Sequence, residues 1–457
     1  MGSPGARLVK GVPLDDHAAM YVAASRRRDL PCVGVVRRFD ERIDSEMLAA
    51  YAARLAANPQ GFGRRVVPAR LPGARAHWEP TSVLPPLRIE TGPLGNAEIA
   101  ALLDEEVSTQ PDPSCDPGWR LTAAADSEGG TTVLIWLHHA YGDGRDILET
   151  AFTPGAGPSG PLPAAGSGTM QEFGDVVARF RRGVIGGARL GREAATVRWR
   201  EPHSDLARLR PALAALRTRD RSVGARSRRR VVALARVDAR AWEDAAAARG
   251  GSGNALLLGV LANLLRMARQ SRGEAHERPL RLLLPFDTRL GASSAAGSGQ
   301  QVSANAAGAA IVVLPGGSPT YGRLEKVRAA TRAALRRASA ATVATSAAPP
   351  GVVDAMQLLP DSIVHRVASR VQGHADGVAS NVGPIPAHVA ELSPYTAREV
   401  FLLAGPMRTD LTVCLGRDRE QAVLGVVADP ARLGPAGGLR EQVAQELAGW
   451  ELDAYVS

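Results

Sequence analysis

Cysteine, lysine and aromatic residues are all scarce in this chain of 457 residues. The three cysteines, Cys32, Cys115 and Cys414, are far apart and odd in number. No disulfide framework and no cysteine-based zinc site is therefore written into the sequence, and free thiols are expected. Phe, Trp and Tyr make up 4% of the residues, and none interleaves with the densest basic run, Arg226 with Arg228, Arg229 and Arg230. That argues against base stacking on nucleic acid and leaves the run as a solvated linker. Lys10 and Lys326 are the only lysines, so the net charge of +9 rests on arginine. Long apolar runs are also missing: no segment holds the roughly 18 uninterrupted apolar residues of a membrane span. The first residues carry charge throughout and lack the apolar core of a signal peptide. A cytoplasmic protein is expected, with peripheral membrane contact left open.

What the chain does have is enough apolar residue, 45% against 22% charged, to fill globular cores. Its length exceeds one ordinary domain and suits two lobes. Residues 1–165 are expected to form the first lobe, 166–224 a connection opened by the Gly- and Pro-rich stretch 154–168, and 225–457 the second lobe. Apolar spacing predicts helices over 44–57 and 96–107 and a strand over 131–137, with a short helix near Asp146. In the second lobe it predicts strands over 228–237, 280–285, 309–315, 399–405, 411–415 and 422–427. Helices are predicted over 255–268 and near 322–341, 352–371 and 438–454, and a mobile loop over 291–308. Mixed strands and helices in two lobes mean α/β or α+β.

One stretch demands an explanation. TTVLIWLHHAYGDGRDI (131–147) starts as an apolar strand and ends in two imidazoles and a Gly-Asp-Gly turn. Unpaired polar atoms away from water cost about 1–3 kcal/mol each, so these groups should be in use. Successive side chains on a strand point to opposite faces, which disfavours a two-histidine metal site. It favours one working histidine, His139, and one structural, His138. Asp143 is too near in sequence to be read directly as the orienting member of a triad. A carboxylate in such a turn suits an arginine arriving from elsewhere.

HHAYGDG (138–144) resembles the His-His-x-x-x-Asp-Gly signature of acyltransferases built like chloramphenicol acetyltransferase, a superfamily that includes the condensation domains of nonribosomal peptide synthesis. Further stretches are similar to bacterial wax ester synthase/diacylglycerol acyltransferases: AHWEP (76–80), DPGWR (116–120), GGSGNALLLGVLANLLR (250–266), LLPFDTR (283–289), SANAAGAAIVVLP (303–315) and ASNVGPIP (379–386). Two positions depart from the pattern: Ala255 stands where an aspartate follows Asn254, and Gly118 where a leucine precedes Trp119. Trp119 itself reads as core packing, and Asn254 reads equally well as part of the resemblance's helix start or simply as a helix N-cap.

The resemblance implies two chloramphenicol-acetyltransferase-like lobes with mixed sheets and a channel between them. An acyl thioester, on coenzyme A or on an acyl or peptidyl carrier protein, would enter from one side and an alcohol or amine from the other. His139 would be the general base. His138, Asp143, Gly144 and Arg289 would support the site, Arg289 as the ion-pair partner of Asp143. Tyr141, Ser303, Ser380 and Asn381 are the candidates for lining the channel or stabilising the oxyanion. No metal and no redox cofactor is implied. The reading is an O-acyltransferase like wax ester synthase/diacylglycerol acyltransferase. The alternatives are a stand-alone condensation enzyme using a carrier-bound donor and, in another class, a catalytically silent binding scaffold.

Overall fold

The structure is a computed structural model. It describes residues 12–15, 18–19, 21–22, 32–59, 61–71, 74–115, 117–152, 170, 172–178, 180–181, 229–287, 307–346, 375–406, 409–434 and 438–457. Residues 291–306 of the expected loop, the helix near 352–371 and the stretch 154–168 lie outside the described residues, as do most of 166–224 and the site candidates Arg289 and Ser303; the last two residues of the expected loop instead open the strand Ala307–Leu314.

Two mixed sheets organise the described chain. The first has five strands in the order Glu399–Ala404, Cys32–Phe39, Thr131–His138, Trp119–Ala125, Leu87–Ile89. The second has seven: Ala307–Leu314, Leu280–Asp287, Gly377–Pro384, Leu411–Asp418, Gln421–Ala428, Val231–Asp238, Ala454–Val456. Leu87–Ile89 runs parallel to its neighbour, and Gly377–Pro384 runs parallel to both of its own; the remaining pairs are antiparallel. The α/β class with mixed sheets read from the sequence is what the chain adopts. Glu399–Ala404 lies within the span expected to form the second lobe, yet it pairs with Cys32–Phe39, from Glu399 opposite Arg38 to Ala404 opposite Val33.

Local rules explain most of the helices. Asp44 caps Ser45–Ala56 by accepting from Met47 N–H at 2.7 Å, leaving Leu48, Tyr51 and Leu55 on the buried face. Gly253–Ser271 is apolar nearly all round and threads the second core under its sheet, against Trp242, Leu447 and Trp450. The helix Asn96–Val107 fills the space between the halves: Ile99, Leu102 and Leu103 meet Val36 and Trp136 of the first sheet and Val232 and Val423 of the second. Polar bonds cross at the same place, with Asp104 Oδ1 accepting from Val232 N–H (2.7 Å) and from Arg440 Nη2 (2.9 Å). Arg230 ends the basic run read as solvated, but it is buried, with Nη1 3.7 Å from Asp429 Oδ2. Among the described residues no helix is long and apolar enough to cross a membrane.

Cys32–Phe39 (CVGVVRRF) is buried along its whole length in spite of two arginines. Arg37 lies 4.7 Å from the centre of the Tyr51 ring, where its guanidinium meets the negative π face. Arg38 reaches Glu399 Oε2 at 3.5 Å and Ser457 Oγ at 2.7 Å, and Arg236 from the other sheet reaches Glu399 Oε1 at 2.8 Å. One carboxylate thus clasps both sheets.

A second buried carboxyl, Glu446, accepts at Oε1 from Trp450 Nε1 (2.6 Å) and Asn263 Nδ2 (3.0 Å), and at Oε2 from the Tyr321 hydroxyl (3.0 Å). Burial pushes its pKa from 4.5 up to about 8, against the pull of those donors and of Arg266. The folded chain then keeps a proton that the unfolded chain gives up near pH 4.5, so this contribution is complete below that pH and is lost as pH rises through about 8. Glu446→Gln, which is neutral at every pH, should flatten the fall in melting temperature between those two values; an unchanged slope would mean that the carboxyl is ionised in the fold.

Candidate active site

Thr131–His138 is the central strand of the first sheet, so its end is fixed from both sides. Cys32 lies opposite His138 on one side and Trp119 opposite Leu137 on the other. Leu134 and Trp136 face the core shared with the second sheet, whereas Ile135 and Leu137 face the other way. Strand parity then separates the histidines, because Leu137 and His139 both line a cavity from which His138 is absent.

His138 is fully buried and its Nδ1 accepts from Ala140 N–H at 3.1 Å, capping the 3₁₀ turn His139–Tyr141. With Nδ1 accepting, a neutral ring carries its proton on Nε2. Burial, helped by the adjacent His139 and opposed by Asp112, lowers its pKa to about 3, so it stays neutral near pH 7. The His139 ring stacks on Tyr21, with ring centres 4.3 Å apart and planes 20° from parallel. Burial and the carboxylates of Asp143 and Asp15 push the Tyr21 hydroxyl up to about 12. Nothing in the sequence around Tyr21 marks it as part of this site.

Asp143 is buried and caps the turn Gly144–Asp146, Oδ1 accepting from Asp146 N–H at 2.9 Å. Gly144 lines the cavity beside Val382.

The cavity, about 160 Å³, lies between the two sheets. The first contributes Val33, Val35, Leu137 and Leu402; the second contributes Leu283, Val378, Ser380, Thr412 and Cys414. Alternation along Gly377–Pro384 sends Val378, Ser380 and Val382 to this face. Asn381 is absent from the lining, and the structure gives it other work. Its Nδ2 donates to Asn254 Oδ1 at 2.6 Å and its Oδ1 accepts from Gly383 N–H at 2.9 Å, where the strand is bulged. Of the two readings of Asn254 the N-cap is not taken; Ser252 holds that position, and the Asn254 side chain crosses to the strand.

Tyr141 is also withdrawn from the oxyanion candidates. Its hydroxyl donates to Arg64 O (2.7 Å) and accepts from Gly118 N–H (3.0 Å), inside a cluster with Phe62 and Trp78. The single hydroxyl proton is already committed. Gly118 explains its own departure from the pattern: a Cβ there would come within 2.8 Å of the Tyr141 ring and 2.6 Å of Pro113. Trp119 is core, fully buried, with Nε1 donating to Phe62 O at 3.1 Å. Of the three oxyanion candidates among the described residues the cavity receives Ser380, and it adds Thr412 and Cys414, which sequence reasoning did not single out. Among the described residues no group of three or more His, Cys, Asp or Glu is placed to hold a metal ion.

No family model matches the chain, and no curated protein matches it. Solved structures do. A wax ester synthase/diacylglycerol acyltransferase from Marinobacter aquaeolei VT8 is 15% identical over 96% of this chain and 98% of its own, with a TM-score of 0.59. The first condensation domain of the CDA synthetase is 13% identical over 98% and 95%, with a TM-score of 0.52. The TRI3 trichothecene 15-O-acetyltransferase from Fusarium sporotrichioides is 12% identical over 96% and 93%, with a TM-score of 0.51. The chain therefore has the fold shared by these acyltransferases and condensation domains, over nearly its whole length.

Tyr141→Phe should lower stability by about 1–3 kcal/mol in denaturant melts, since it leaves Gly118 N–H and Arg64 O without their partner. It should leave turnover per folded molecule unchanged; a selective loss of turnover would return the hydroxyl to the reaction.

Proposed function

We propose that the protein is a condensation-type acyltransferase that moves an acyl group from a coenzyme A thioester to an alcohol, with His139 as general base. The observation that carries this reading is the placement of His139: strand parity and the turn after His138 bring it to the wall of a cavity that both sheets line. The likeness of fold to known acyltransferases and condensation domains supports the reaction class. A base at an open cavity also favours catalysis over a silent scaffold.

In the reaction, the acceptor hydroxyl oxygen attacks the thioester carbonyl carbon while His139 takes the hydroxyl proton. The carbonyl oxygen becomes an oxyanion, for which the Ser380 hydroxyl is the cavity-facing donor among the described candidates. Collapse re-forms the carbonyl and breaks the C–S bond, and the proton passes from His139 to the departing thiolate. Ester and free thiol are the products, with no acyl-enzyme and no resident cofactor. His138, neutral and tied to Ala140, shapes the turn that presents His139. Arg289 remains the proposed partner of Asp143 across the site.

Incubation with acyl-CoAs and alcohols, with products read by mass, tests the reaction. His139→Ala should reduce turnover by about 10²–10⁴-fold with the fold retained, the usual contribution of a general base. Undiminished turnover in that variant would remove the mechanism. An amide rather than an ester product, or activity confined to carrier-bound donors, would select the condensation alternative.

Asp143→Asn and Arg289→Gln should each lower stability and activity together, by roughly 3–5 kcal/mol in stability if the pair is fully buried. The double variant should lose less than the two single losses combined. Strict additivity would separate the two residues.

A further inference from the structure

Thr412 belongs to the wall of the His139 cavity but not to the reaction just described. It sits on Leu411–Asp418, opposite Val378, which in turn lies opposite Leu283. Thr412, Val378 and Leu283 thus form one level of the wall; Ser380 and Cys414 form the next. The levels are about 7 Å apart at ordinary strand rise. Ser380 is the nearer to the His139 turn, because Val382, two residues further along its strand, packs beside Gly144. The Thr412 level is therefore the far one, on a wall lined mostly by apolar side chains.

Thr412 is 1% exposed, and its hydroxyl has no hydrogen-bond partner among the described residues. A buried hydroxyl in this state is costly to the free protein and is ordinarily matched by something. Rotation about χ1 interchanges its hydroxyl and methyl, so the oxygen can turn into the space the side chain already lines. The size of that space limits what matches it. Cavities of about 150 Å³ hold a guest the size of benzene, and this one is about 160 Å³.

We infer that the acyl group this site takes is short, of roughly six carbons or fewer, and carries a hydrogen-bonding atom a few carbons beyond its carbonyl, where Thr412 meets it. This rests on the acyl-transfer reading and narrows it. With the thioester carbonyl at the Ser380 level beside His139, the acyl chain runs along the apolar wall to Thr412. A plain alkyl chain would leave the hydroxyl unmatched, and a long one would outrun the cavity.

Hexanoyl-CoA, its 3-hydroxy and 5-hydroxy derivatives and palmitoyl-CoA discriminate, with binding by calorimetry and turnover recorded separately on the full chain. One hydroxylated hexanoyl thioester should bind roughly tenfold more tightly than hexanoyl-CoA, the effect of one neutral hydrogen bond, and palmitoyl-CoA should bind more weakly than either. Thr412→Val keeps the shape and removes the oxygen; it should erase that tenfold ratio. It should also hold or raise the melting temperature, because an unmatched polar atom is replaced by a methyl. Tightest binding of palmitoyl-CoA, a ratio that survives in Thr412→Val, a lowered melting temperature, or failure of every donor to bind would overturn the assignment. Binding with the expected ratio but no turnover with any acceptor would instead overturn the acyl-transfer reading and leave the cavity assignment standing.

Discussion

The site depends on a strand that changes sheets. Glu399–Ala404 comes from the second half of the chain and completes the edge of the first sheet, and the backbone beside it leaves almost no slack. A Cβ on Gly425 would lie 2.0 Å from Leu402 O, so glycine alone lets Gln421–Ala428 come this close to the crossing strand. Glu399 closes the same junction with Arg38 on its own sheet and Arg236 on the other. A crossing strand held by main-chain contact and a shared carboxylate sets the separation of the two sheets. The cavity is the gap that remains where they diverge, which is why its wall includes Leu402 as well as Leu137 and Ser380.

Within that frame, parity decides chemistry. His138 and His139 are neighbours in sequence and opposites in role, because one side chain points into the shared core and the next into the cavity. The same rule separates Ser380 from Asn381 and places Thr412 and Cys414 together on the cavity side, with Val413 between them in the second core. A one-residue slip in either strand would exchange a polar working face for an apolar packing face. The antiparallel pairing of Thr131–His138 on both sides makes such a slip unfavourable, since both neighbouring registers would have to move with it.

Much of this was legible in the residues. The HHAYGDG turn, the capped helix after Asp44, the apolar helix over 255–268 and the strands of the second sheet after Leu411 all follow local periodicity, and the fold agrees with the resemblance those stretches carry. Cys32–Phe39 was not legible, because two consecutive arginines look like an exposed loop unless Tyr51 and Glu399 are known to be waiting for them. Gly377–Pro384 carries no strand periodicity in its sequence, yet it is an interior strand of the second sheet with a bulge after Asn381. Tyr21 and Thr412 carried no signal at all, since only the third dimension brings one against His139 and the other to the cavity wall. Tyr141 misled in the opposite sense: proximity to the histidines suggested a catalytic hydroxyl, whereas the chain turns it into the aromatic cluster to secure Gly118.

The buried polar groups separate by whether the protein itself completes them. Glu446 takes three donors, Tyr141 gives and accepts, and His138 caps its own turn, so each stabilises the architecture. Such groups are expensive to disturb and chemically silent. Ser380 and Thr412 belong to the opposite class, hydroxyls on a wall that is otherwise apolar, with the half-buried His139 at its near end. Hydroxyls in a low-dielectric gap act strongly on any charge or polar atom placed between them. Ala255 lies in the second core and Gly118 lies against Tyr141 and Pro113, so both departures from the pattern fall outside the cavity lining. What reaches the cavity is a short set of side chains, and it is these, rather than the extent of the shared fold, that set the chemistry the cavity can offer.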